Sequence, residues 1–239
     1  MSHIYLHGVR IDNLTMERAL SLACERAGEP CWVVTPNALM LDACRKHPAY
    51  AELLNRASLS LPDGAGVLLA ARHAKSPLRE RVAGIDFGEG LMSLAEKEGM
   101  RVFLLGGKEG VAARAAERLR ERYPRLHVCG CFWGYFEDSA EQSERLRYVL
   151  TQSKPDILLV CLGFPRQELW TAENLPYLTH VRVIANLGGT LDVWAGDVQR
   201  APVPVQQLGG EWAWRMLHQP KRLAGLPALA RIAFWRERE

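Results

Sequence analysis

The stretch "LSLPDGAGVLLAA" (residues 59–71) decides the fold. Its apolar, β-favouring start stops at Pro62-Asp63-Gly64, and from Ala65 the chain is rich in alanine and leucine, the residues that lose least on entering a helix. A strand that runs through so short a joint into a helix is half of a strand–helix–strand unit, and such units build parallel sheets. The joint leaves one carboxylate, Asp63, at the strand's carboxyl end.

The same rhythm continues on both sides. "IYLHGVRI" (4–11) and "CWVVTPN" (31–37) predict strands, with the helical pattern "LTMERALSLACERAG" (14–28) between them. "NALMLDACRKH" (37–47), "DFGEGLMSLAEKEG" (86–99) and "KEGVAARAAERLRERYP" (108–124) predict helices. "MRVFLLGG" (100–107), "RLHVCGCFWGYF" (125–136), "DILLVCLGF" (156–164) and "VRVIANLGG" (181–189) complete the strands. The expected fold is α/β: a doubly wound, mostly parallel sheet with helices on both faces. After residue 208 prolines and glycines break the rhythm into short helical pieces, and three of the seven tryptophans (Trp212, Trp214, Trp235) fall there. The expectation is a core over residues 1–208 and a basic, tryptophan-containing helical appendage over 209–239.

Composition narrows the class. The 239 residues are 48% hydrophobic and 24% charged, as in an ordinary globular protein. A net charge of +3 is too small to indicate nucleic-acid binding, but residues 209–239 hold six basic against three acidic side chains and so carry all of it. No apolar run is long enough to span a bilayer, and the opening "MSHIYLHGVRID" lacks a signal-peptide pattern, which predicts a cytoplasmic address. The six cysteines read as reduced and mostly buried; only Cys129 and Cys131 lie close in sequence.

Ligands of an open parallel sheet bind beyond the carboxyl ends of its strands. The residues that follow the apolar strands are Thr35, Pro36 and Asn37; Asp63 and Gly64; Gly106 and Gly107; Gly134, Tyr135 and Phe136; Gly163, Phe164, Pro165, Arg166 and Gln167; and Gly188, Gly189 and Asp192. These loops are expected to converge on one edge. Each also has a plain structural reading. Thr35 before Pro36 is the pattern of a helix N-cap, as is Asp63 before its helix; Gln167 suits any first helical turn; Gly106 and Gly107 end a strand. "GGKEG" (106–110) is not the dinucleotide fingerprint, though it permits a phosphate nest.

The chain has no G-x-S-x-G elbow, no H-E-x-x-H helix, no G-K-S or G-K-T loop and no Asp-x-Asp pair. A diphosphate leaving group would then draw its countercharge from arginines, whose fork meets phosphate oxygens in two places. Arg81 and the tail arginines are the candidates.

Thr35-Pro-Asn37, "LPDGAGV", "RVAGIDF", "VFLLGG", "GYF", "LGFPRQELW", "GGTLDVWAGDVQRAP" and "LGGEWAWRMLHQPKR" occur in this order. Over residues 4 to 224 the sequence resembles the TagA/WecG/CpsF family of bacterial glycosyltransferases. The resemblance implies an inverting transferase that uses no metal and no cofactor. It would move a sugar, with N-acetylmannosamine as the leading choice, from a UDP donor to undecaprenyl-diphosphate-linked N-acetylglucosamine. The setting implied is teichoic acid or other surface-polysaccharide assembly, at the inner face of the cell membrane.

Carried over by position, the resemblance makes Asp63 the general base, with Thr35 and Asn37 lining its pocket. Arg81 and Gln167 would hold the diphosphate and donor; Gly106, Gly107, Gly134, Tyr135, Phe136 and Asp192 would lie along the nucleotide; Arg215 and Arg222 would neutralise the departing UDP. The tail resembles the family's appendage, which closes the active site and touches the membrane. Beyond Gly225 no family pattern applies: Leu226, Leu229, Ile232 and Ala233 at helical spacing suit either an anionic lipid surface or the chain's own core. "LGGTLD" departs from the family's commoner glycine-valine-glycine form.

Alternatives within the family are UDP-N-acetylmannosaminuronic acid or UDP-glucose as donor. Outside it stand a Rossmann-type oxidoreductase or methyltransferase using "GGKEG", and a non-enzymatic membrane-docking adaptor.

Overall fold

A computed structural model describes residues 2–25, 28–136, 140–207, 209–218 and 226–233. In chain order its elements are β1 (His3–Leu6), β2 (Val9–Asp12), α1 (Met16–Cys24), β3 (Cys31–Val34), α2 (Ala38–Lys46), α3 (Pro48–Asn55), β4 (Leu59–Ser60), α4 (Ala65–His73), α5 (Gly84–Glu98) and β5 (Arg101–Gly106). There follow α6 (Val111–Arg122), β6 (His127–Phe132), α7 (Ala140–Ser153), β7 (Ile157–Cys161), α8 (Arg166–Asn174), β8 (Val183–Asn186), α9 (Thr190–Trp194), α10 (Val203–Gln207), α11 (Glu211–His218) and α12 (Leu226–Ala233). The main sheet has six strands in the order β4-β3-β8-β7-β5-β6, flanked by helices, which is the expected α/β class.

The chain forms two compact units. One gathers Met1–Ala19, Thr35–Ala83 and Gln199–Glu239; the other gathers Leu20–Val34 and Gly84–Val198.

In the second unit β3-β8, β8-β7, β7-β5 and β5-β6 all pair in parallel. β7 and β8 are buried at every position, as their unbroken apolar sequences require of strands covered on both faces. β6 lies at the sheet edge and alternates more, and a bulge falls in its pairing with β5 between Val102 and Phe103. Gly130 sits at that bulge because a Cβ there would come within 2.5 Å of the Phe103 ring.

In the first unit the expected single strand over residues 4–11 is instead an antiparallel hairpin. His7 and Gly8 both have positive φ, +51° and +79°, and form the two-residue turn between Leu6 and Val9. The hairpin is bolted to the β4 segment. Buried Asp12 accepts the Ser60 N–H at 2.8 Å and pairs with Arg10, whose guanidinium also donates to the Ala57 and Ser58 carbonyls. A short strand is thereby held from the side three residues before Asp63.

The helical tail packs within the same unit. Ile232 and Ala228 of α12 are buried, α12 lies against α2 and α4, and Arg231 grips buried Asp42 of α2 through two bonds of 2.9 and 2.7 Å. Over residues 226–233, docking on the chain's own core is what the structure has, of the two readings left open for the segment after Gly225; residues 234–239 lie outside the described residues. Among the described residues no helix is long and apolar enough to cross a membrane. None of the six cysteines is in a disulfide; Cys24, Cys44 and Cys161 are buried, while Cys131 is exposed. Burial pushes the Cys161 thiol up to about 12, so it stays protonated and inert.

Candidate active site

Each unit carries its own set of candidate residues. In the first, the Asp63 N–H donates to the Pro36 carbonyl at 3.0 Å, so the Asp63 joint and the Thr35-Pro36-Asn37 turn are adjacent. The preceding carbonyl, of Pro62, accepts the Val82 N–H at 3.0 Å, which brings the Arg81 segment to the same joint. Asp63 is half-buried, and the peptide unit that precedes it is held at both its N–H and its carbonyl.

Neither expected cap forms as the sequence suggested. The N-cap of α2 is Asn37, not Thr35: its Oδ1 accepts the Leu39 and Met40 N–H groups at 3.0 and 3.2 Å. Thr35 is instead buried, one residue beyond β3. At α4 the N-cap is Gly64, with no side-chain cap, so Asp63 is not the capping residue. The cause is the backbone of Gly64, whose φ of +91° and ψ of +155° turn the chain between the carboxylate and the helix. The acid therefore stands one residue before the cap position, at the joint itself.

Half-buried Arg81 lies 3.5 Å from Glu211, the first residue of α11, and the same carboxylate lies 3.5 Å from Arg200. One buried carboxylate thus holds two guanidinium groups. Gly209, just before α11, approaches so closely that a Cβ on it would sit 3.4 Å from the Cβ of Ala65, the first residue of α4. The start of the tail is therefore seated beside the Asp63 joint. Arg215 belongs to α11, but its side chain, like the whole of Arg222, lies outside the described residues.

In the second unit the loops after β5, β6, β7 and β8 share one sheet edge, as parallel pairing demands, and hydrogen bonds tie them together. Gly134 donates to the Gly107 carbonyl at 2.7 Å. Arg166 donates to the Gly134 and Phe136 carbonyls. Gln167, buried, accepts the Gly163 N–H at 3.2 Å and the Gly188 N–H at 3.0 Å on a single oxygen. Its Nε2 then donates to Glu168 at 2.8 Å. Gln167 is therefore a clasp between two loops rather than an ordinary first-turn residue.

The glycines here answer to space. A Cβ on Gly106 would fall 2.3 Å from the Cys161 carbonyl oxygen, and one on Gly134 would fall 2.9 Å from the Gly106 Cα. Asp192, in the first turn of α9, is half-buried, and its Oδ2 lies near Gly189. Tyr135 is 72% exposed, whereas Phe136 beside it is buried.

Behind the clasp, Asn186 accepts from the Trp32 indole and donates to Thr171, which satisfies polar groups buried between β8 and α8. Glu168 is fully buried, its second oxygen has no partner among the described residues, and burial raises its carboxyl to about 7 against the bonds from Gln167 and from its own backbone N–H that lower it. Sequence reading missed Glu168, Glu211 and the loop contacts of Arg166. All three stand inside quoted motifs, yet their partners are distant in sequence and no local pattern names them.

The family model described as Glycosyl transferase WecG/TagA/CpsF family matches residues 4–237. Among curated proteins the chain is similar to the N-acetylglucosaminyldiphosphoundecaprenol N-acetyl-beta-D-mannosaminyltransferases of Staphylococcus aureus strains MRSA252, MW2 and NCTC 8325. It is 33% identical to each over 228 residues, covering 93% of this chain and 87% of the relative. With the match running nearly end to end over a parallel α/β sheet, the chain belongs to the glycosyl transferase WecG/TagA/CpsF family.

Proposed function

We propose that this glycosyltransferase moves N-acetylmannosamine from a UDP donor to N-acetylglucosamine carried on undecaprenyl diphosphate, with inversion at the anomeric carbon, at the inner face of the cell membrane. The observation that carries the reading is Asp63: a half-buried carboxylate one residue before the α4 cap, fixed through its backbone to the Thr35-Pro36-Asn37 turn.

In the proposed step the Asp63 carboxylate takes the proton of the acceptor hydroxyl as that oxygen bonds to the anomeric carbon. The bond from that carbon to the UDP oxygen breaks, and UDP leaves with the electron pair. A carboxylate serves here because attack and proton loss are concerted, so placement matters before basicity. Asn37 commits its amide oxygen to the cap, so its NH2 is the end that donates to a sugar hydroxyl. Charge on the departing diphosphate is met by Arg81, Arg215 and Arg222. Glu211 keeps Arg81 in place before substrate arrives. Gly106, Gly107, Gly134, Tyr135 and Asp192 line the nucleotide, buried Phe136 supports their turn from within, and Gln167 acts on the donor through the two loops that it clasps.

Contact with the membrane is assigned to α11, where Trp212 and Leu217 are 41% and 79% exposed.

The test is mass spectrometry of products formed on an undecaprenyl-diphosphate N-acetylglucosamine acceptor offered a panel of UDP-sugars. Addition of one N-acetylhexosamine from UDP-N-acetylmannosamine is expected. A product only from UDP-N-acetylmannosaminuronic acid or UDP-glucose reassigns the donor, and no product from any of them overturns the reading.

A further inference from the structure

We infer that Arg166 is a positioning residue for the nucleotide: it sets the turn of Gly134–Phe136 and, through Tyr135, governs how tightly the UDP moiety is held. The inference rests on the donor reading above and deepens it.

Arg166 opens α8, and its fork spans the turn. One NH2 group donates to the Gly134 carbonyl and the other to the Phe136 carbonyl at 2.8 Å, while the guanidinium carbon lies 4.7 Å from the centre of the Phe136 ring. The two carbonyls flank a single residue, Tyr135. Its neighbours are held from other directions as well. Gly134 is pinned by its bond to Gly107 and by a fit in which a Cβ would meet Leu162 at 2.8 Å, and Phe136 is buried edge-on to Phe132. Only Tyr135 points out, at 72% exposure, so the geometry grips both ends of a three-residue turn and presents the middle ring.

Two carbonyls and a ring face already engage the guanidinium, which marks Arg166 as a builder of the turn rather than a direct phosphate ligand. Lysine cannot substitute. A single ammonium point charge does not reach two carbonyls in a fixed plane, and it stacks less well on an aromatic face.

The experiment is a double-mutant cycle on UDP affinity by isothermal titration calorimetry, using the full chain with R166K, R166M, Y135A and the two double variants. Stacking of a base on an aromatic ring is worth enough for each single variant to weaken UDP binding roughly ten-fold. If Arg166 acts through Tyr135, the double variants lose little beyond Y135A alone. Donor KM should rise in step in R166K, with kcat and acceptor KM within about two-fold of the parent. R166K keeps the stem and the charge, so it carries the test if R166M does not fold. Unchanged UDP affinity in R166K, or losses that simply add in the double variants, overturns the role of Arg166 and leaves the donor reading standing. Absence of UDP binding by the unmutated chain overturns the donor reading, and this inference with it.

Discussion

Asp63, Gly64 and Glu168 show how single residues divide the work at the site. Asp63→Asn keeps shape and hydrogen bonding but removes the base. The substitution is isosteric and Gly64, not residue 63, holds the cap position, so the variant's melting temperature should stay within a few degrees of the parent while transfer falls by orders of magnitude. Activity within a few-fold of the parent would sink the base assignment. Gly64→Ala acts differently: nothing lies within 4 Å of the added methyl, so its cost is the positive φ alone, about 1–3 kcal/mol by urea denaturation, with transfer reduced because Asp63 is displaced. For Glu168 the folded carboxyl binds its proton up to about pH 7, above its ordinary 4.5. The folded state therefore holds more protons than the unfolded one between these values, so stability falls as pH rises from 4.5 to 7 and is level above. Glu168→Gln keeps the acceptor for Gln167 and removes that loss, on the order of 3 kcal/mol at pH 8. Melting curves from pH 5 to 8 should diverge between parent and variant, and parallel curves would refute the assignment. Sequence alone identified Asp63 from its place after a strand, but it misassigned the cap. Asn37 and Thr35 are both capping types, and the proline between them drew the reading to Thr35, whereas the backbone puts the better cap, Asn37, in place.

Elements were legible where their apolar pattern was long. β5, β7 and β8, buried on both faces, are unmistakable in sequence, and helices α5 and α6 follow their expected spans. The hairpin was not, because His7-Gly8 interrupts a short run whose alternation fits one strand as well as two; α3 was missed for similar reasons of length. The tail helix α12 was ambiguous by composition, since a lipid surface and a protein core reward the same apolar stripe. Asp42 resolves it. Its bonds to Arg231 and Lys46 hold its carboxyl well below the usual range. A depressed carboxyl stabilises above its unfolded value and loses that stabilisation only as pH drops through the folded one. Docking of α12 should thus be level from pH 8 to 5. Asp42→Asn should speed amide hydrogen exchange across residues 226–233 throughout that range. Unchanged exchange in the variant would show that the apolar contacts of Ile232 and Ala228 suffice.

At the scale of the molecule, the sequence conveyed the α/β class and the family but not the division into units. The expected boundary at residue 208 falls inside the first unit, because Glu211 and Arg231 join the tail to Arg81 and to Asp42 across 130 and 189 residues. Pairings so distant leave no trace in local pattern. With α12 docked, membrane affinity is predicted to reside in α11. Leu217→Asp, at a position 79% exposed, should lower co-sedimentation with anionic vesicles by several-fold while leaving transfer to a soluble acceptor analogue unchanged. Equal sedimentation would remove α11 from the membrane. The first unit is also assembled from both ends of the chain, with most of the second inserted between residues 83 and 199. During synthesis on the ribosome, the inserted strands β5 to β8 emerge complete while α2 still waits for Arg231. A released chain truncated after residue 220 should accordingly resist protease over the insert and be cut in α2, which makes the seating of α12 a late step of folding.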